Sequence, residues 1–303
     1  MPDVTPKPLR SKANAIINLM GTAGGILVLV LGMVFATSAV QNALMRYTTY
    51  YGVIAAIMLL SLTIFLLTVR EPAWAAQMRA DSIRYGIEES AEDADQQTRQ
   101  LSGSEKRSLI LILFSVSLWF MGYNAVTTAF SKYAMQVLNV AETAAANCVL
   151  VATVVAIISY WPVGILSSKL GRKKMIMGGI ALLMIAFLCA GMLTKLSFVS
   201  YIIFALVGMG WASIGVNSYP MVVELASGSD VGKYTGFYYT ASMSAQMITP
   251  LVSGWLMDLR GMTVLFPYAA VFVALSFVTM FMVKHGDSKV EAKKGLEALD
   301  VDD

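Results

Sequence analysis

Two sets of residues in this chain have the types and the spacing to do chemistry. The first is cationic. Lys169, Arg172, Lys173 and Lys174 fall within six positions, after an apolar run that stops at Pro162 and directly before another apolar run. A guanidinium so placed can bind helix-end carbonyls or an acid, and Glu224, at the end of a further apolar run, is an acid near the same surface. The second set is polar and uncharged. Tyr238, Ser242, Gln246, Thr249 and Ser253 recur at steps of three and four, which draws a stripe along one helix face. Ser117, Asn124 and Thr128 repeat the arrangement, with Trp119 and Tyr123 beside them. Amides, hydroxyls and aromatic faces together suit a sugar, which offers an apolar ring face and many hydroxyls. Trp119, Tyr123, Asn124, Tyr238, Ser242, Gln246 and Thr249 are therefore the candidate cavity residues. The competing reading is structural, because Ser and Thr often bond back to their own helix and Trp and Tyr often serve packing.

Other chemistry finds no residues to carry it. The sequence has no G-x-x-x-x-G-K-[ST] phosphate loop, no His/Cys/carboxylate cluster and no acid inside an apolar run. Cys148 and Cys189 both lie within apolar runs, where they indicate neither a disulfide framework nor a metal site. The expectation is a protein with no catalytic residue, no cofactor and no metal, hence not an enzyme.

The elements that must position these residues are membrane helices. Apolar residues make up 57% and charged residues 14% of the chain. Eight charge-free apolar spans stand out: 15–38, 50–69, 108–130, 144–166, 175–194, 198–222, 235–257 and 264–283. About 20 helical residues cross a bilayer core, and each span is that long. Between them, 18 Lys and Arg fall on one side and only Arg46, Lys132, Lys195 and Arg260 on the other. The excess predicts both termini in the cytoplasm of a multi-pass protein in the cell membrane (plasma or inner), and makes the net charge of +3 topological rather than a signature of nucleic-acid binding. The basic stretch is then a tight cytoplasmic reversal, with Lys173 and Lys174 mainly setting topology.

The spans divide as follows. Residues 1–69 hold two spans; 70–107 form a cytoplasmic linker whose start, with Pro72, Trp74, Met78 and Tyr85, suits an amphipathic surface helix; 108–283 hold six spans; 284–303, with the lone His285, read as a disordered cytoplasmic tail. Span 15–38 is too long for the apolar core of a cleaved signal, so it reads as a retained helix. Small-residue seams predict close packing at Gly21 and Gly25, at Cys148, Ala152 and Ala156, and at Gly208 and Ala212. Ser213 and Asn217 form a polar pair before Pro220, and Trp161, Trp255, Tyr47, Tyr50 and Tyr51 near span ends suit interfacial anchoring.

Read as Gly164-x-Leu166-x-Ser168-Lys169-x-Gly171-Arg172-Lys173-Lys174, the basic stretch resembles the G-x-L-a-D-r-x-G-R-r-k loop of the major facilitator superfamily of secondary transporters. The resemblance implies an all-α polytopic fold and transport of a small solute by alternating access, with this loop joining two helices of a six-helix half and helping to lock the inward gate. Gly164, Ser168, Lys169, Gly171, Arg172, Lys173 and Glu224 become the cytoplasmic gate residues. Ser168 departs from the pattern, since it stands where the family has an acid, and a serine cannot form that acid's ion pair.

Three further stretches are similar to the glycoside and sucrose branch of sugar–cation symporters: Lys7-Pro8-Leu9-Arg10-Ser11-Lys12-Ala13-Asn14, Leu118-Trp119-Phe120-Met121-Gly122-Tyr123-Asn124-Ala125, and Asn217-Ser218-Tyr219-Pro220. That likeness implies a sugar or glycoside substrate, H+ or Na+ as coupling ion, and the lipid bilayer as the remaining partner. At an offset of 221 residues Asp3 falls on Glu224 and Lys12 on Lys233, each Lys being followed by two spans. The expectation is eight transmembrane helices forming a partial major facilitator fold, two helices ending a first half and a complete second half, with four helices missing from an amino-terminally truncated chain. The alternatives are a non-transporting sensor, subunit or inert fragment, and a carrier of another substrate such as a drug or organic ion.

Overall fold

The computed structural model describes residues 4–6, 9–35, 48–84, 101–226 and 230–287. Among them run nine α-helices: α1 Arg10–Val34, α2 Thr48–Thr68, α3 Glu71–Arg84, α4 Gly103–Gln136, α5 Glu142–Leu170, α6 Arg172–Gly191, α7 Phe198–Val223, α8 Val231–Arg260 and α9 Leu265–Phe281, with a short 3-10 turn at Met262–Val264 before α9. Helices are what such a sequence must form, because in lipid every backbone N–H and C=O has to be satisfied within its own segment.

Six helical segments are long and apolar enough to cross a bilayer: Thr48–Thr68, Gly103–Gln136, Ala144–Leu170, Arg172–Gly191, Phe198–Val223 and Met262–Phe281. The two remaining expected spans, 15–38 and 235–257, fall on α1 and α8, which at 25 and 30 residues have the length without being among the six. In α8 the reason is its polar stripe. The expected linker 70–107 is in part helical as α3; Tyr85, Asp3 and Tyr47 lie outside the described residues.

Local chemistry sets the breaks. Ser102 and Glu105 start α4 with a reciprocal cap, the Glu105 amide donating to Ser102 Oγ at 3.3 Å and the Ser102 amide to Glu105 Oε2 at 2.9 Å. The reversal between α5 and α6 takes one residue, Gly171, at φ 93° and ψ 149°. That conformation is strained for any residue with a Cβ, so glycine is required at this turn.

Helices α4, α5, α6, α7 and α9 share one core in which Trp119, Phe130, Phe187, Phe266, Ile112, Ile176, Ile180 and Leu183 are fully buried. The most extensive packing joins α6 to α7, α5 to α7 and α4 to α9, while α8 lies on α4 and α1 lies across α5 and α7. Small residues allow the closest approaches. A Cβ added at Gly208 would collide with the Ala152 carbonyl, and one at Gly179 would stand 2.6 Å from the Gly210 oxygen. The small-residue seam of α5 at Ala152 thus meets that of α7 at Gly208. Gly21 and Gly25 do not: an added Cβ at either meets nothing within 4 Å. Helix α1 meets α5 and α7 with another face, which leaves these glycines outside that contact. Helix α2 buries no residue and is apolar all round, as a lipid-surrounded helix is.

Candidate functional site

The basic stretch lies where six helix ends converge: the starts of α1, α4 and α6 and the ends of α5, α7 and α9. Arg172 is 3% exposed and sits at the centre. Its Nη1 donates to Glu224 Oε2 at 2.8 Å and to the Pro220 carbonyl at 3.4 Å, and its Nε donates to Ser11 Oγ at 3.0 Å. Arg10 approaches the same Glu224 oxygen at 3.8 Å and donates to the Val223 carbonyl. One carboxylate at the end of α7 therefore meets two guanidiniums, from α1 and α6, inside a nearly dry cluster. Lys173 turns to the end of α9, donating to the Phe281 and Val283 carbonyls at 2.9 and 2.6 Å. Lys169 and Lys174 are exposed.

Gly164 presses its backbone on α1, where an added Cβ would stand 3.0 Å from the Ala15 Cβ. Ser168 bonds back to its own helix, its hydroxyl donating to the Gly164 carbonyl at 3.3 Å. The anion beside the turn is instead Asp287, which lies against Gly171 and accepts the Arg172 backbone N–H at 2.6 Å. The start of the expected disordered tail is thus tied down as far as it is described. His285 Nδ1 lies 3.1 Å from Ser108 Oγ, and the Lys284 amide donates to the same hydroxyl.

From this cluster a polar stripe climbs α1 at four-residue steps: Arg10, Asn14, Asn18 and Thr22. Asn14 Nδ2 donates to the Val216 and Gly215 carbonyls at 2.9 and 3.0 Å. Pro220 has no N–H to offer the carbonyl four residues before it, so Asn14 satisfies the oxygen that the proline orphans. Asn18 also reaches the Gly215 carbonyl at 3.5 Å, and Thr22 donates to the Asn18 carbonyl of its own helix at 2.9 Å. Tyr160 of α5 is buried in a small cluster with Ala15 of α1 and Ala212 and Val216 of α7. The Tyr123 ring stacks on Trp211 of α7 with centroids 3.8 Å apart and planes 9° from parallel, and Phe120 meets the same indole edge-on at 5.3 Å. All three rings are half-buried.

The other expected cavity residues have varied surroundings. Trp119 is fully buried in the shared core, and its Nε1 has no hydrogen-bond partner among the described residues. Asn124 is half-buried and donates to the Phe120 carbonyl of its own helix at 2.9 Å. On α8, Tyr238, Ser242, Thr249 and Ser253 are buried and Gln246 is half-buried, so the stripe faces protein rather than lipid. Most of it is bonded internally. Ser242 donates to the Tyr239 carbonyl, Gln246 to Ser242, Thr249 to Ala245 and Ser253 to Thr249, while the Tyr238 and Ser218 hydroxyls meet at 2.9 Å across to α7. Ser117 of α4 donates to the Ala241 carbonyl at 3.2 Å, tying α4 to α8.

Sequence reasoning passed over Asp287, Trp211, Tyr160 and the α1 stripe. The α1 stripe had a signal in its spacing and in Pro220, which frees a carbonyl; the others had none beyond residue type.

A bundle of long apolar helices with a polar interior seam and a buried charge cluster at one end is a multi-pass membrane protein. The sequence profile of the Major Facilitator Superfamily matches residues 1–213 and, in a second match, residues 112–300. The chain belongs to the Major Facilitator Superfamily, a family of secondary transporters and not of enzymes. A small-molecule substrate carried across a membrane is what membership implies. No curated protein matches the chain.

Proposed function

We propose that this transporter carries a sugar or glycoside, with its solute path between α1, α4, α5, α7 and α8 and with the Arg172–Glu224 cluster as the gate that closes the cytoplasmic end. The observation that carries the substrate reading is the Tyr123–Trp211 stack, half-buried where α4 meets α7 and one residue from the Asn124 amide. Flat aromatic faces take a pyranose ring by its apolar side while neighbouring hydroxyls and amides take its edge, which is the usual composition of a small-molecule pocket. Asn124 and Gln246, half-buried and holding only intrahelical bonds among those described, can turn to a solute. Tyr238, Ser242, Thr249 and Trp119 support the wall from behind.

The gate reading rests on charge. Helices α1 and α7 meet α6 through Glu224, and separating them exposes an unpaired buried charge, so the closed arrangement is a discrete state. Gly171 makes the reversal possible, Gly164 lets α1 approach, and Lys173 anchors α9; Ser168 and Lys169 hold the end of α5. The positive excess around this end puts it, with both termini, in the cytoplasm. A buried carboxylate is the ordinary device for carrying H+ or Na+ at mid-membrane. Among the described residues the acids stand at or near helix ends, so these helices are read as supplying the solute contacts and the gate.

Tryptophan fluorescence of the chain in nanodiscs tests the substrate reading. A disaccharide should quench the Trp211 signal saturably in a variant keeping only that tryptophan, and Tyr123→Ala should weaken binding roughly tenfold, as loss of one aromatic contact does. Saturable quenching by a hydrophobic organic cation and none by disaccharides would favour the drug-carrier alternative.

A further inference from the structure

Helices α6 and α9 run antiparallel. The start of α6 lies by the end of α9, and at the other end an added Cβ at Gly191 would stand 3.2 Å from the Phe266 Cβ. The α6 start is electrostatically poor on its own. Its N-cap is Gly171, without a side chain to accept a backbone N–H, no acid stands in its first turn, and Arg172, Lys173 and Lys174 pile three cations on the positive end of the helix dipole. The end of α9 has the opposite deficit. It has no basic residue in its last turn and leaves carbonyls unsatisfied at Phe281 and Val283.

Each helix is completed by the other's chain. Asp287, six residues beyond α9, accepts the Arg172 N–H and sits against Gly171; Lys173, in the first turn of α6, donates to the Phe281 and Val283 carbonyls and stands 5.8 Å over the Phe281 ring. We infer that Asp287 is a positioning residue for the gate: this reciprocal cap fixes the first turn of α6 and so aims the Arg172 guanidinium at Glu224 and Ser11. The strap from Val283 to Asp287 is pinned a third time at Ser108 of α4, so movement of α9 or α4 at this end is passed to Arg172 through Asp287. Its bearing on transport rests on the gate reading above.

Hydrogen–deuterium exchange of the whole chain in nanodiscs tests the inference without requiring transport. Asp287→Asn keeps the side-chain size and removes the charge. It should speed exchange roughly tenfold in the first turn of α6 and over residues 281–287, and also at residues 10–15 and 223–226, where Ser11 and Glu224 lose the aimed guanidinium. Adding Lys174→Glu to Asp287→Asn, which puts an acid back in the first turn of α6, should restore protection at the α6 start and at residues 10–15 and 223–226. Lys173→Met attacks the cap from the α9 side and should loosen residues 281–287 and the α6 start together. Changes confined to residues 284–287, or to the α6 start with residues 10–15 and 223–226 unmoved, would overturn the positioning role. Failure of Lys174→Glu to restore protection would overturn its electrostatic basis. If disaccharide binding fails while these exchange patterns appear, the substrate reading falls and the positioning role stands.

Discussion

At the scale of residues, the contacts that matter are those answering a deficit elsewhere in the chain. Asn14 donates to the Val216 carbonyl, whose helical partner Pro220 cannot supply. Asn14→Ala should therefore destabilise by about 1 kcal/mol, the usual worth of a hydrogen bond between membrane helices. In a Pro220→Ala background, where the carbonyl recovers a backbone partner, that loss should shrink, and a double-mutant cycle on thermal unfolding measures the difference. Glu224 is the more severe case. Glu224→Ala leaves the Arg10 and Arg172 guanidiniums buried without their shared carboxylate, which should destabilise the chain by about 3 kcal/mol or more. A melting curve in detergent compared with that of Glu224→Gln checks it. The Arg172–Glu224 contact was legible in the sequence because Arg172 precedes one apolar run and Glu224 follows another, and the charge pattern brings those two ends to one surface. Asp287 was not legible, because an acid in a charged tail looks like any solvated charge until the tail is found against Gly171.

At the scale of elements, hydrophobic pattern located the helices to within a few residues, since a bilayer leaves a segment little choice but to be helical. What a helix packs against was less legible. Gly21 with Gly25, Ala152 with Ala156, and Gly208 with Ala212 all carry the four-residue spacing of a close approach, yet Gly208 meets the Ala152 backbone while Gly21 and Gly25 meet nothing. Spacing says that a face is smooth; it does not say that a neighbour arrives. Gly208→Val should push α7 from α5 and destabilise by several kcal/mol, roughly the scale of core overpacking or worse, whereas Gly21→Leu should melt within about 0.5 kcal/mol of wild type, as uncrowded surface changes do. The α8 stripe was read correctly as turned away from lipid, but periodicity could not tell a wet wall from hydroxyls bonded to their own helix, and most of these are so bonded.

At the scale of the whole molecule, the Arg172–Glu224 cluster stands at one end of α7 and the Tyr123–Trp211 stack further along it, so in the proposed function closing the gate and holding a solute share that helix. Membership of a transporter family fixes the class of activity, while the solute and the side each end faces are proposed from aromatic stacking and the distribution of Lys and Arg. Trp211 escaped notice in the sequence because a tryptophan in an apolar span carries no pattern; only the 3.8 Å stack on Tyr123 gives it a role. The most direct measurement places the chain in liposomes under an inward proton or sodium gradient and follows a labelled disaccharide. The account predicts saturable uptake of the disaccharide that Trp211→Ala abolishes. Uptake indifferent to Trp211, or no uptake of a disaccharide, would contradict it.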